Sequence, residues 1–394
     1  MKKNTFNPLI FLASLGAGGI AVMPFAFLQY TVEHGSGLVK LADLGVDYSS
    51  PAGAGLVFLF AVMVVFALIH LGLTAFLLPK LFRWVKTSEF KEVLNSPLKN
   101  ASLLAPFISL AMTMNVFIGP VRFFSSWMAA NLQSLMLPAL IFWSVLWVFL
   151  MYFETKLLKI SFSKGFDVNK ISFGWLLHPF ALGMLTVVGT GIAAMAKDPG
   201  IASTAALLSI ISGSMGIFLL AVKMIMIFKS HFNADGLPEK QFLPSFLIVV
   251  PNITLYSISA FRLGHYLENS MGMELGAYYF FAVMIPFAFE VWYLAFGLAL
   301  LSDYFKKHFW KKEFYVTQWG LICPIVAFGV LGSFAYKIFP AAGGIFLCRY
   351  NNLNNSGRRI LCHPLEAQLS MCSQQREEGG GFSKGYGVFE LKPI

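Results

Sequence analysis

The stretch LLHPF at residues 176–180 puts an ionisable ring and a helix breaker together at the start of a long apolar run. The same pattern, a proline after three mostly apolar residues, recurs as LLAPF at 103–107, IVVPN at 248–252 and LICPI at 321–325. Pro106, Pro179, Pro251 and Pro324 are therefore 73, 72 and 73 residues apart, a period that reads as repeated helical hairpins. Small or hydroxylated residues follow each proline, as in PFALGMLTVVGTGIAAM at 179–195. The run LASLGAGGIAVMPF at 12–25 has the same character but carries its proline later, at Pro24, and counts as a divergent first copy.

Around these motifs the chain is built for a bilayer. Of 394 residues 57% are hydrophobic and 12% charged, which leaves a soluble globule too little polar surface. A hydrocarbon core of about 30 Å takes about 20 helical residues to cross. Nine apolar runs meet that length, at 8–30, 54–78, 102–119, 129–153, 173–195, 205–228, 242–266, 275–301 and 317–339. They are continuous rather than alternating, so they are helices that satisfy their own backbone and not barrel strands. The opening MKKNTFNPLIFLASLG has the charge pattern of a signal peptide, but its apolar part is spanning-length with no small-residue cleavage pattern, and it is expected to be a retained helix.

Odd and even runs differ. The odd ones carry the small residues, which allow close helix approach or leave room for a lumen, whereas even ones such as LIFWSVLWVFLMYF at 140–153 are bulky and suit lipid. A proline inside a spanning helix removes a donor and clashes with the carbonyl one turn earlier, bending the helix. Pro106, Pro179, Pro251 and Pro324 are accordingly expected to kink four helices at one depth and to build a constriction.

The formal net charge of +10 resides in the connections. Lys2 and Lys3 precede the first run, and the even connections hold most of the rest, including Lys80, Arg83, Lys156, Lys159, Lys229, Lys306 and Lys307. This bias places the N-terminus in the cytoplasm and the basic surface against anionic headgroups, with no call for nucleic acid. Arg122, Lys197, Arg262 and Lys337 break the pattern, each standing near the outer end of an odd run. They form either a cationic vestibule that concentrates anions or a set of interfacial anchors.

Ionisable residues inside the runs are few. Lys223 is expected to snorkel from the end of its run, and His70 to be a hydrogen-bonded packing residue. Glu290, beside Trp292 and Tyr293, is either a buried, hydrogen-bonded carboxyl or a proton-coupling group. No nucleotide loop, HExxH or paired CxxC ligand set occurs, so no enzyme, metal or cofactor is expected.

Taken with LNSPLKNASLLAPFISL at 94–110 and QWGLICPIVAFG at 318–329, the repeat over residues 6–339 resembles the tellurite-resistance and four-carbon-dicarboxylate transporter family, which includes plant slow-type anion channels. The resemblance implies ten helices in five hairpins, odd helices around a pore, even ones outside, passage of small anions, and a homotrimer in the cell (inner) membrane. It also implies a gating phenylalanine in the ninth helix, where this chain has Cys323. By the repeat, Ala105, His178, Val250 and Cys323, each preceding a proline, are expected to share the constriction. There His178 either donates to a passing anion or caps helix carbonyls.

Beyond residue 340 the character changes. Residues 341–394 lack a spanning run, hold Cys348, Cys362 and Cys372, and carry basic residues against the orientation rule. They are expected to be a disordered tail replacing the tenth helix, as by a shifted reading frame; the spacing of these cysteines and His363 is too irregular for a metal site. Domain organisation is thus a transport domain at 1–340 and the tail. The sequence reads as an all-α integral membrane protein and an anion channel or carrier. One alternative is a proton-coupled carrier of dicarboxylates or other organic anions. Another is a membrane enzyme or cofactor protein, which needs His70, His178 and Glu290 to meet in one cavity.

Overall fold

The computed structural model describes residues 6–339, apart from 36, 46–48, 168–169, 235, 310 and 312–313. The tail at 341–394, with its cysteines and the position of a tenth helix, lies outside the described residues. Among those described, nine helices are long and apolar enough to cross a membrane. We number them α1 (Phe11–Thr31), α2 (Pro51–Trp84), α3 (Ala105–Val116), α4 (Leu132–Ser163), α5 (Leu177–Met195), α6 (Pro199–Phe232), α7 (Val249–Met271), α8 (Gly276–Leu300) and α9 (Ile322–Ile338). The third span continues past α3 through Phe117–Val121 and Arg122–Phe124.

The five odd helices close into a ring, each touching the next, with α9 returning to α1. The even helices lie outside it: α2 packs on α1 and α3, α4 on α3 and α5, α6 on α5 and α7, and α8 on α7 and α9. The seam between α9 and α1 carries no outer helix among the described residues. The division follows side-chain size. Phe58, Leu68, Phe149, Ile225 and Trp292 of the even helices are exposed, while α5 is buried along its length. Three even helices run 34, 32 and 34 residues, beyond what the hydrocarbon layer needs.

Every inner helix starts through a 3-10 turn, at Pro8–Ile10, Asn100–Leu104, Phe173–Leu176, Leu243–Ile248 and Val316–Leu321. This shared feature makes α1 a copy of the repeat although Pro24 is displaced. It also changes the reading of the four in-register prolines. Pro106 is the second residue of α3, and Pro179, Pro251 and Pro324 are the third residues of α5, α7 and α9. They do not kink helix interiors. An α-helix leaves its first N–H groups without internal acceptors, so a proline there loses no bond. Its ring does forbid an α-helical carbonyl four residues back, and the chain upstream winds as 3-10 instead.

Close approach of α4, α5 and α6 depends on missing side chains. The indole N–H of Trp143 donates to the Leu185 carbonyl at 2.9 Å, that of Trp147 to Leu208 at 3.0 Å, and the Thr186 and Ser212 hydroxyls are 2.9 Å apart. A methyl on Gly189 would overlap both the Ser209 hydroxyl and the Trp143 ring. Gly189→Ala is therefore expected to destabilise the bundle by about 1–3 kcal/mol through overpacking. Thermal unfolding in detergent checks this, and an unchanged midpoint contradicts it.

Candidate functional site

The inner ring encloses two cavities. The near one, of about 540 Å³, lies where the inner helices begin and is bordered by Lys99, Ser102, Leu177, Ser245, Thr317 and others. The far one, of about 700 Å³, is bordered by later turns of α1, α3, α5, α7 and α9, including Gly16, Met184, Ile258 and Val330. Two residues border both: Phe180 and Cys323. They stand between the cavities, and Phe180 is almost wholly buried.

The expected layer is thus only partly formed. Cys323 is in it, but Ala105, His178 and Val250 are fully buried and border neither cavity. The reason is helical phase. Side chains two apart on an α-helix point about 200° apart, so when His178 faces out of the ring Phe180 faces in. A phenyl ring, that of Phe180 on α5, thus borders both cavities together with Cys323 of α9.

Outside the ring, His178 meets a residue that the sequence reading left out. Its Nδ1–H donates to Glu154 Oε2 on α4 at 2.6 Å, with both side chains fully buried. Lys223 of α6 interacts electrostatically with the same carboxylate. It does not snorkel: it is 3% exposed, its Nζ donates to the Trp175 carbonyl at 3.4 Å and lies 4.3 Å from the Trp175 ring centre. Glu154 Oε1 and His178 Nε2 have no hydrogen-bond partner among the described residues. Glu154 immediately follows the apolar run ending at 153, the one signal that α4 carries a charge into the bundle.

His70 differs, as its packing reading anticipates. Its Nδ1–H donates to the Ser14 carbonyl at 2.7 Å and its Nε2 accepts from the Thr113 hydroxyl at 2.9 Å, so both nitrogens are satisfied between α1, α2 and α3. The Ser14 hydroxyl lies 2.6 Å from that of Thr74 and accepts from Ser109 at 3.1 Å. Glu290 of α8 is fully buried, accepts from the Thr254 hydroxyl at 2.5 Å through Oε1, and leaves Oε2 without a partner among the described residues. Thr254 itself borders the far cavity. His70, His178 and Glu290 are therefore held at three different seams, and the common cavity required by the enzyme reading is not formed by them.

The four cations separate as well. Arg262 and Lys337 border the far cavity, Arg262 donating to the Val187 carbonyl at 2.7 Å. Arg122 is buried, donates to the carbonyls of Ile118 at 3.0 Å and of Val39, and does not border the cavity. Lys197 is exposed in the connection between α5 and α6, also outside the lining. Two imidazoles that the sequence reading passed over, His34 and His265, join Arg262 and Lys337 in the wall. Among the described residues no group of three His, Cys, Asp or Glu converges as a metal site.

Residues 5–348 match the family model described as voltage-dependent anion channel. No curated protein and no solved structure matches the chain.

Proposed function

The chain belongs to the voltage-dependent anion channel family, and from that premise we propose that small anions cross the membrane through the two cavities, with Phe180 and Cys323 as the barrier between them. Anion transport across a membrane is the function that membership implies; the path, the barrier and the channel mode are our reading. The observation that carries it is a pair of cavities bordered by the beginnings and by the later turns of the same ring of helices, with only Phe180 and Cys323 common to both linings. One narrow apolar layer between two wide spaces suits a channel, because an ion needs to shed water over only a short distance. Arg262 and Lys337 supply a positive potential to the far cavity, which raises the local anion concentration.

The substrates in this reading are those of the resembling family: inorganic monovalent anions, tellurite, sulfite or dicarboxylates. The lysine bias supports a cytoplasmic N-terminus, and an inner-membrane location follows by resemblance. A homotrimer follows by resemblance. The decisive experiment is flux of an anion panel into vesicles carrying the purified protein under an imposed potential. Conduction of at least one small anion, following the potential, is expected; silence for every anion overturns the proposal.

A second reading, proton-coupled transport, is favoured by one observation. Glu290 is a single hydroxyl, that of Thr254, away from the far cavity. Glutamine at this position keeps an acceptor for Thr254 but cannot carry the proton. In the channel reading Glu290→Gln leaves anion flux and its pH dependence unchanged. Loss of acid-driven uptake in that variant selects the coupled carrier instead.

A further inference from the structure

We infer that Glu154 and His178, with Lys223 beside them, form a positioning site outside the pore that holds Phe180 across the lumen. This rests on the reading of Phe180 as a barrier and adds to it what keeps the ring in place. The geometry is a lever one helical turn long. His178 and Phe180 flank Pro179 in the first turn of α5 and face opposite ways, the phenyl between the cavities and the imidazole towards α4. The 2.6 Å bond to Glu154 ties the outward side of that turn. From α7 the Tyr256 hydroxyl donates to the Pro179 carbonyl at 2.6 Å, and Asn252 Nδ2 lies 3.5 Å from the Leu176 carbonyl.

Those two bonds fix the backbone. Only the Glu154–His178 tie acts through a side chain directly opposed to Phe180, so it sets the rotation of the turn about its axis. This turn needs such a tie. It follows a 3-10 segment, and the proline ring forbids the α-helical carbonyl that would continue α5 into the preceding turn. The contrast with His70 supports a role beyond packing. His70 is saturated by hydroxyls and a carbonyl, which serve for cohesion at no charge. At His178 the chain instead keeps a carboxyl and an amine in a buried seam, with one oxygen and one nitrogen that have no hydrogen-bond partner among the described residues.

The test is anion flux in vesicles for His178→Leu, His178→Asn and Phe180→Ala, singly and with His178→Leu and Phe180→Ala combined. Asparagine places an N–H near the position of Nδ1 and leucine does not. His178→Leu is expected to raise flux about tenfold, a barrier change of about 1.4 kcal/mol, His178→Asn to resemble the parent, and His178→Leu to add nothing once Phe180 is alanine. If Phe180→Ala raises flux but His178→Leu does not, the positioning role is overturned and the barrier stands. If His178→Leu changes flux by the same factor in both backgrounds, it acts independently of Phe180 and the inference is again overturned. If Phe180→Ala itself changes nothing, the barrier reading fails. Should His178→Leu not purify, the apolar pair Glu154→Leu with Lys223→Leu removes the same tie without a stranded charge; parental flux there overturns the inference.

Discussion

Replacing Phe180 by alanine is expected to raise anion flux through the reconstituted protein by about ten- to a hundredfold, equivalent to lowering the barrier by about 1.4–2.7 kcal/mol. The phenyl ring is 3% exposed and borders both cavities, and in the proposed path it stands between them. An anion passing it loses water and gains no donor, a cost of the kind that burying an unpaired charge incurs. Alanine leaves space for a hydrated ion. Discrimination among anions should fall as flux rises, because selection by dehydration needs the narrow layer. Cys323→Ala removes far less bulk from the same layer and should change flux far less. The measurement is initial flux in vesicles at matched protein density, and equal flux for parent and Phe180→Ala refutes the barrier.

That prediction turns on a residue which the sequence pattern did not select, and the reason is physical. The proline period of 73, 72 and 73 residues marks where each inner helix begins, because proline affects backbone hydrogen bonding locally and in the same way each time. It does not determine which side chain of the first turn faces the axis. A shift of two residues rotates the direction by about 200°, and Pro106 stands at the second position of its helix where the other three stand at the third. The nine spans and the contrast between small odd and bulky even helices were legible from apolar length and residue size, and the ring itself came from the resemblance. The facing layer depends on helix rotation, which is set by partners on neighbouring helices.

Charge was harder to place for a related reason. The apolar run of the fourth span stops at 153, but α4 continues to Ser163 and brings Glu154 into the seam with α5. Lys223 looked like an end residue because its run stops at 228; α6 extends to Phe232, and the Trp175 carbonyl and ring hold the ammonium where it is. Arg122 stands near the end of its span as expected, yet its hydrogen bonds go to carbonyls of its own turn and of the loop after α1. Hydropathy measures how long a segment is apolar. It is silent on which polar atoms across the bundle are waiting for a donor.

The buried charges give the second large effect. Glu154→Leu is expected to destabilise the protein by about 3–5 kcal/mol, since removing one member of a buried charge cluster leaves the other uncompensated. Here the stranded group is Lys223, 3% exposed, which keeps the carbonyl and the indole ring of Trp175 as neighbours. His178 also loses the acceptor of its Nδ1–H. Adding Lys223→Leu should recover most of the loss, because two apolar side chains of suitable volume replace a buried pair at little net cost. The sign of the second substitution is therefore opposite in the two backgrounds: destabilising in the parent, where it strands Glu154, and stabilising once Glu154 is gone. Thermal or denaturant unfolding of the four proteins in one detergent measures that coupling as a double-mutant cycle. Additive effects would mean that the two charges do not share a field, and the charged part of the seam between α4, α5 and α6 would then rest on the Glu154–His178 bond alone.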